Sequence, residues 1–327
     1  MTGPLIRVAR AELHYRVGGI AAALRKGSQV VKAVDGISFD LAPGESVGIL
    51  GESGCGKTST GRLLLKLDDP TGGRIEFEGT DITTLKGPAL RRFRTRAQMI
   101  FQNPFEALNP RFTIRDALTE PLENAGVPAA DRDARIRRVL ELVRLPEPDQ
   151  FLDRYPHQLS GGQLQRIVMA RALILDPVFV VADEPVSMLD VSVRAGVLNV
   201  FREVRERLGL TAIYISHDLA LVRYVCERTI VMYLGRIVED GPTEDIVRDP
   251  LHPYTRALVA AVPVPHPEQS HAPLPIGRGA PDARNPPSGC TFRDRCPMAM
   301  PRCAAEAPGP RRVGGRVVHC HLHDHTA

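Results

Sequence analysis

The eight residues 51–58 constrain the fold of this chain more than any other stretch. They read Gly-Glu-Ser-Gly-Cys-Gly-Lys-Thr and match the G-x-x-x-x-G-K-[ST] phosphate-binding pattern at every defined position. The apolar segment 46–50 before them predicts a buried strand, and residues 58–67 after them predict a helix. A strand, a glycine-rich loop and a helix in this order form a cradle for phosphate groups. The sequence therefore predicts an α/β fold that binds a nucleoside triphosphate.

The individual side chains of this loop have separate expected roles. Lys57 supplies a mobile positive charge for the outer phosphates, and the Thr58 hydroxyl is placed to ligate Mg²⁺. An ordinary glycine-rich turn is the alternative, and the full match in the right context disfavours it. The residues that we expect to contact the nucleotide here are Gly51, Glu52, Ser53, Gly54, Cys55, Gly56, Lys57, Thr58 and Ser59.

Composition limits the classes of function. A chain of 327 residues with 43% hydrophobic residues can bury a full core, so we expect one large domain and an appendage. The net charge is only +4, aromatic residues make up 5%, and there is no tryptophan, which argues against a nucleic-acid partner. No apolar run reaches the roughly 18 residues of a membrane-spanning helix, and residues 1–4 lack a signal-peptide pattern. We expect a cytoplasmic chain.

The order of predicted elements divides the chain into regions. Short β-type runs within residues 6–79 indicate an antiparallel β subdomain around the phosphate loop. Residues 103–157 form a helical insert, in which 130–145 has helical periodicity with its apolar face at Ile136, Val139, Leu140 and Val143. Apolar strands at 178–182 and 212–215 alternate with helical segments at 164–173 and 193–208, which predicts a parallel sheet core.

The C-terminal part differs from the rest. Eight prolines within residues 262–289 indicate an extended connector that leads to a small cysteine-bearing tail. We therefore expect a nucleotide-binding domain over 1–261 and a connector with its tail over 262–327.

Two acids end an apolar strand in the second half of the chain. Asp183 and Glu184 follow the run 179–182. Asp183 is placed to hold Mg²⁺, mostly through water, and Glu184 to polarise the attacking water. A solvated acidic turn is the alternative, and it is less common for two acids in a chain with a phosphate loop.

The sequence predicts a second helix N-terminus that can bind an anion. Ser160, Gly161, Gly162 and Gln163 precede a helical run, and a serine cap with two glycines lets backbone N–H groups approach an anion. One chain has no second phosphate to face this helix start. The sequence therefore predicts a partner chain that supplies it.

Together these motifs resemble the Walker A (51–58), signature (159–163) and Walker B (180–184) motifs of an ABC-type ATPase. The resemblance implies further site residues. Gln102 is similar to the Q-loop glutamine that contacts Mg²⁺ and the water, His217 to the switch histidine, and Asp190 to the D-loop aspartate. Tyr15 is the expected aromatic that stacks on adenine, although it could equally be a core residue.

Three further segments resemble the ATP-binding subunits of bacterial oligopeptide and dipeptide importers, namely 154–158, 251–258 and the cysteine-containing stretch 286–297. This resemblance implies an ATP-hydrolysing subunit that powers peptide import. Importers of nickel and of glutathione belong to the same subfamily and stay open as alternatives. A non-transport ABC protein that acts on ribosomes or DNA is the remaining alternative, but such proteins carry two cassettes or long coiled coils, and neither is visible here.

The same resemblance implies an assembly. Two ATPase chains, usually similar but distinct, would close head to tail around two ATP molecules. They would act with two membrane permeases and an extracytoplasmic solute-binding protein, at the cytoplasmic face of the membrane.

Four cysteines lie outside the ATPase core, at Cys290, Cys296, Cys303 and Cys320. Because disulfides are disfavoured in the cytosol, clustered cysteines favour metal ligation. The family resemblance implies a [4Fe–4S] cluster, with Zn²⁺ and then four free thiols as the alternatives. Four histidines alternate beside Cys320 and could bind a metal, but terminal histidines are more often solvated, and we expect that here: His319, His321, His323 and His325. Two further cysteines, Cys55 and Cys226, are expected to be unligated.

Overall fold

A computed structural model of the chain describes residues 3–17, 29–262, 276–277 and 282–324. Its contacts group into two compact units. Unit 1 runs over Met1–Leu41, Ser46–Thr83 and Ile215–Ala327, and unit 2 over Ala42–Glu45 and Thr84–Tyr214. The helical insert expected at 103–157 lies in unit 2. Most of the expected proline-rich connector lies outside the described residues.

Strands and helices make up most of the described residues. The strands are β1 (Ile6–Val17), β2 (Gln29–Leu41), β3 (Ser46–Leu50), β4 (Gly72–Phe77), β5 (Thr80–Asp81), β6 (Ala97–Ile100), β7 (Phe179–Asp183), β8 (Thr211–Ser216), β9 (Arg228–Tyr233), β10 (Arg236–Pro242), β11 (Arg311–Val313) and β12 (Arg316–Val318). The helices are α1 (Lys57–Leu64), α2 (Gly87–Arg96), α3 (Pro104–Ala107), α4 (Ile114–Asn124), α5 (Ala129–Leu142), α6 (Asp149–Leu152), α7 (Gly161–Leu173), α8 (Val191–Leu208), α9 (Leu219–Val225), α10 (Thr243–Arg248), α11 (Pro253–Ala260) and α12 (Pro301–Ala305).

The predicted antiparallel subdomain is present in unit 1. Its sheet has the order β2-β1-β4-β5, and every pairing in it is antiparallel. The strands β1 and β2 have 12 and 13 residues, so they are longer than the short runs that the sequence predicted. A register shift between Val8 and Ala11 bends β1, which lets so long a strand follow a curved surface.

The predicted parallel core is also present. In unit 1 the strand order is β11-β12-β10-β9-β3, with β3 and β9 parallel. In unit 2 the order is β8-β7-β6, with β6 and β7 parallel. Every residue of β3, β7 and β8 is buried. Strands that are covered on both faces need apolar side chains throughout, which is why their sequences show no alternation.

The helix α5 shows how the sequence sets both the face and the end of a helix. Ile136, Val139 and Leu140 are buried as predicted. The helix ends at Leu142, before the predicted end at 145, because Arg144 adopts a left-handed φ of 56°. The N–H of Leu145 then donates to the Leu140 carbonyl at 2.9 Å, as in a Schellman motif.

The C-terminal segment continues the sheet of unit 1. Strand β12 pairs antiparallel with β10, with Glu239 opposite Val318. Phe292, which is 1% exposed, packs against the rings of Tyr233 and Tyr254 at centroid distances of 5.1 and 5.4 Å. Residues 282–324 therefore share the core of unit 1.

No helix within the described ranges has the length and apolar character that crossing a membrane requires.

Candidate nucleotide-binding site

The phosphate loop joins β3 to α1 in unit 1, as the sequence predicts. Gly56 is the N-cap of α1 and has a φ of 103°. A Cβ atom at this position would lie 2.1 Å from the Ala33 carbonyl oxygen. Only glycine fits there, since it tolerates both the left-handed backbone and the close approach of β2. Ser53, Gly54 and Thr58 are exposed, so this part of the loop is accessible to a ligand.

Lys57 is buried inside the loop. Its ammonium group donates to the carbonyl oxygens of Gly51 at 2.8 Å and of Glu52 at 2.9 Å, and the residue is 6% exposed. The neighbouring Cys55 is also buried, and burial raises the pKa of its thiol. A neutral thiol beside the loop adds no negative charge to it, and the lysine supplies a positive one.

Glu52 is held at two points by parts of the chain for which the sequence predicted no role here. Its backbone N–H donates to the Tyr254 hydroxyl on α11 at 2.8 Å. Its carboxylate accepts two hydrogen bonds from Arg295, at 2.8 and 3.0 Å. Both contacting residues lie in segments that resemble peptide importers, and only that resemblance pointed to them.

Tyr15, the expected adenine-stacking residue, lies on β1 near the end of α1. Its side chain is 42% exposed, and its hydroxyl donates to Asp68 at 3.1 Å. Asp68 also accepts two hydrogen bonds from Arg62, at 2.7 and 2.9 Å. The Arg62 hydrogen bonds are the main cause that lowers the pKa of Asp68. The ring is therefore fixed at its polar end and accessible at the surface.

The acidic pair ends strand β7 in unit 2. Asp183 is 5% exposed and Glu184 is half-buried. Glu184 adopts a φ of 43°, which is unfavourable for a residue with a side chain. Its carboxylate accepts a hydrogen bond from the Gln102 amide at 3.0 Å. The structure thus brings together the predicted base and the predicted Q-loop residue.

The predicted signature segment begins α7. Ser160 and Gln163 form a capping box, since the Ser160 hydroxyl accepts from the Gln163 N–H at 3.3 Å and the Gln163 amide oxygen accepts from the Ser160 N–H at 3.0 Å. Ser160 and Gly161 are exposed. A Cβ atom on Gly162 would lie 2.6 Å from the Val193 side chain. Glycine therefore lets α7 start close to the first turn of α8.

The D-loop segment precedes α8 in the same unit. Arg194 fixes it by donating to the Leu189 carbonyl at 2.8 Å and to the Ser187 carbonyl at 3.3 Å. Asp190 is exposed and makes no side-chain capping bond. Met188 is 63% exposed, so an apolar side chain and a carboxylate are both displayed on this segment.

His217 lies in unit 1, directly after β8, and is exposed. The turn around it is well defined. The Asp218 N–H donates to the Ser216 hydroxyl at 3.0 Å, and the Asp218 carboxylate caps α9 by accepting from the Ala220 N–H at 2.9 Å. The position of the predicted switch histidine is therefore set by its neighbours on both sides.

The four tail cysteines are near one another but form no ready ligand set. All are free thiols. Burial, with a smaller contribution from electrostatic interactions with Cys290, Cys296 and Cys303, raises the pKa of Cys320 to about 11. Among the residues that the structure describes, no group of three or more His, Cys, Asp or Glu side chains could hold a metal ion. The structure gives no support to the expected [4Fe–4S] cluster or Zn²⁺ site.

One of the histidines beside Cys320 differs from the expectation. His321 is 5% exposed and bonds Asp324 at 2.9 Å and the Glu306 carbonyl at 3.1 Å. The expectation that it is solvated was wrong, because β11 and β12 fold the end of the chain back onto unit 1. His325 lies outside the described residues.

Comparison with known proteins decides the family. The model of the ABC transporter family matches residues 34–187, and that of the oligopeptide/dipeptide transporter C-terminal region matches residues 238–303. A putative peptide import ATP-binding protein of Brucella ovis is 51% identical over 298 residues, which cover 91% of this chain and 93% of the relative. This chain belongs to the ABC transporter family of ATP-binding proteins. It is an ABC-type ATPase, and the family uses ATP and Mg²⁺.

Further similarities agree with this assignment. The di/tripeptide transport ATP-binding protein DppF of Pseudomonas aeruginosa is 42% identical and covers 94% of this chain and 94% of its own length. A solved dimeric ATP-binding cassette, in a post-hydrolysis state with ADP and Pi, superimposes with a TM-score of 0.63 at 26% identity. It covers 73% of this chain and 98% of its own length. The predicted ABC-type fold is therefore confirmed.

Proposed function

We propose that this chain is the ATP-hydrolysing subunit that powers import of oligopeptides or dipeptides through a membrane permease. The observation that carries the proposal is the presence, in one chain, of the ABC family match and the oligopeptide/dipeptide C-terminal match. The second match begins at residue 238, within β10, and β10 shares a sheet with β3 at the start of the phosphate loop. The peptide-importer segment is thus built into the same unit as the loop.

The phosphate loop is the proposed site for the triphosphate. Its exposed part provides backbone N–H groups at the start of an eight-residue helix, where the helix dipole favours anions. The carbonyls that Lys57 now contacts would compete with phosphate oxygens for its ammonium group. Tyr15 is the proposed neighbour of the adenine ring, and Ser59 is a proposed neighbour of the phosphates.

Glu184 is the proposed general base. A carboxylate that accepts a hydrogen bond from Gln102 is held in one orientation, and an oriented carboxylate can act as the base that takes a proton from water. Gln102 would in turn orient that water, and His217 would contact the γ-phosphate. The proposed role of Gln102 as a hinge to the helical insert is supported by its place between the end of β6 and the start of α3.

A magnesium ion would supply charge neutralisation at the outer phosphates. The residues proposed to hold it are Thr58, Gln102 and Asp183. Their oxygen donors are those that Mg²⁺ prefers, and Asp183 lies buried at the end of β7.

The signature segment is the proposed contact with a second ATPase chain. Ser160 and Gly161 are exposed at the start of a 13-residue helix, and Asp190 is exposed on the neighbouring D-loop. The dimeric form of the solved cassette with ADP and Pi supports a pairing of this kind. The partner could be a second copy of this chain or a distinct ATPase chain. We propose a distinct ATPase chain, and so a heterodimer, because the family resemblance implies it.

Further partners follow from the same proposal. Two permeases and an extracytoplasmic solute-binding protein would complete the importer, and the chain would sit at the cytoplasmic face of the membrane. The helical insert, with the exposed aromatic side chains of Phe105 and Phe112, is the proposed contact with the permease. Nucleic acid is not among the proposed partners.

The test is an uptake assay in cells that lack this chain. Labelled dipeptides and oligopeptides are supplied, and the wild type, Lys57→Ala or Glu184→Gln is returned on a plasmid. Restoration by the wild type alone is the expected result. Restored uptake of nickel or glutathione in place of peptides would favour the alternative cargoes. Association with ribosomes or DNA and no effect on uptake would favour a non-transport ATPase.

Metal binding by the four tail cysteines is a separate hypothesis. Four thiols could ligate [4Fe–4S], with Zn²⁺ as the alternative, if the tail rearranges around the metal. The absorbance spectrum of protein purified without oxygen separates these options, since an iron–sulfur protein is coloured and a zinc protein is not. A colourless protein without bound metal would leave the cysteines as packed thiols.

A further inference from the structure

The C-terminal segment reaches the phosphate loop through one ion pair. Arg295 and Glu52 lie 243 positions apart in the chain and form a bidentate pair, with both guanidinium Nη atoms bonded to the two carboxylate oxygens. Their side chains are 14% and 30% exposed. A bidentate pair that is sheltered from water is among the stronger polar contacts in proteins, because geometry and low dielectric both favour it.

Aromatic rings fix the position of this arginine. Its guanidinium carbon lies 5.8 Å from the centre of the Tyr233 ring and 5.9 Å from that of Phe292. Phe292 is almost fully buried against Tyr254, the residue that binds the Glu52 backbone. The arginine is therefore preorganised by the core of unit 1, and the cost of ordering its side chain is already met.

The partner of Arg295 is a negative charge in a loop that binds anions. The carbonyl of Glu52 also accepts from Lys57, so the backbone position of Glu52 affects the lysine that is proposed to bind the outer phosphates. Without Arg295, an unpaired carboxylate would remain in the loop and would repel a triphosphate. Arg295 thus has two effects on Glu52: it neutralises the carboxylate, and it fixes the position of the residue.

We propose that Arg295 is a positioning residue for nucleotide binding, through which the C-terminal segment sets the affinity of the phosphate loop for a nucleoside triphosphate. The proposal rests on the proposed role of residues 51–58. It assigns to the peptide-importer segment a function inside the ATPase site of its own chain.

The experiment measures the Kd of the full chain for a fluorescent ATP analogue with Mg²⁺, and the KM for ATP in the assembled transporter. Arg295→Gln should raise both constants by roughly fivefold or more and leave kcat nearly unchanged, since the pair acts on binding. Arg295→Lys should recover part of the affinity, because it restores the charge without the bidentate geometry.

Two controls separate this role from a loss of folding. Arg311→Gln removes another arginine of the same segment, which pairs with Asp324 at 2.8 Å and not with Glu52, and it should bind as the wild type does. In the Glu52→Gln background, Arg295→Gln should produce no further loss, because no carboxylate is left to neutralise. Circular dichroism and thermal unfolding check that each variant is folded.

The outcomes distinguish the two proposals. If Lys57→Ala binds the analogue as well as the wild type does, the assignment of residues 51–58 as the phosphate site is wrong, and the role of Arg295 is overturned as well. If Lys57→Ala fails to bind but Arg295→Gln binds normally, only the role of Arg295 is overturned. An equal loss from Arg295→Gln in the presence and absence of the Glu52 carboxylate would also overturn it, since the arginine would then be structural.

Discussion

The side-chain amide of Gln102 donates a hydrogen bond to the carboxylate of Glu184, with 3.0 Å between Nε2 and Oε2. The two residues lie 82 positions apart, at the ends of the parallel strands β6 and β7. Because parallel strands end at the same edge of a sheet, side chains that follow them meet there. The left-handed φ of Glu184 at this edge is the kind of strain that structures maintain at functional positions.

Glu184→Gln should lower the kcat for ATP by roughly 100-fold or more and preserve ATP binding, since it removes the proposed base but keeps the shape of the side chain. Steady-state hydrolysis by the assembled transporter and equilibrium binding by the chain measure the two effects. Glu203→Gln, which changes an exposed acid paired with Arg144, is the matched control and should leave both unchanged. Normal hydrolysis by Glu184→Gln would remove this residue from the mechanism.

Gly56→Ala should abolish ATP binding and lower the free energy of unfolding by about 3 kcal/mol or more, because the new Cβ would meet the Ala33 carbonyl at 2.1 Å. Gly79→Ala is the control. It also has a positive φ, of 75°, but nothing lies within 4 Å of its Cβ position, so it should cost only about 1 kcal/mol. Urea unfolding and nucleotide binding check both. Equal costs for the two variants would show that the clash with β2 does not occur.

Gly162→Ala should impair ATP hydrolysis in the assembled transporter and leave ATP binding by the single chain intact, since its Cβ would push α7 away from Val193. Adding Val193→Ala should restore hydrolysis at least in part, because it removes the side chain at 2.6 Å. Gly196→Ala is the control, as only the end of the Arg166 side chain lies within 4 Å. Failure of the double variant to recover would indicate a role for Gly162 other than packing.

His252 should make the stability of the chain depend on pH. It is 1% exposed, and burial lowers its pKa to about 3. In the unfolded chain the pKa is about 6.5, so below that pH the unfolded state gains a proton that the folded state does not. The stabilisation present above pH 6.5 is therefore lost as the pH falls. From pH 7 to pH 5 the loss amounts to about 2 kcal/mol.

His252→Asn tests this dependence. Its side-chain oxygen can accept from the Tyr254 N–H, as the histidine Nδ1 does at 3.0 Å, so the N-cap of α11 is retained. The variant should lose less free energy of unfolding than the wild type between pH 7 and pH 5, measured by urea unfolding. Parallel losses in the two proteins would show that His252 is protonated in the folded state.

Much of the candidate site could be predicted because its residues are encoded locally. Residues 51–58 contain the glycines, the lysine and the hydroxyl of the loop in one continuous stretch, and Ser160 and Gln163 form a capping box within four residues. Such motifs depend on short-range backbone geometry, which residue type controls directly. The ends of elements were predicted less accurately. At α5, for example, the helix ends at a non-glycine residue, Arg144, in the left-handed conformation.

The contacts of the C-terminal segment could not be predicted from its sequence. Proline content and cysteine spacing indicated a separate tail, whereas β12 pairs with β10 and Arg295 binds Glu52. No local pattern identifies the partner of an arginine, because many carboxylates are equivalent until the chain has folded.

The sequence by itself determined the phosphate loop, the order of the motifs and the apolar strands of the core, because each depends on residue type within one turn or one strand. Only the tertiary structure decided that Tyr254 and Arg295 hold Glu52, and that Gln102 meets Glu184. These pairs depend on the packing of segments that are distant in the sequence. The burial of Phe292 and the register of the strands select the partner, and the neighbouring residues in the sequence do not.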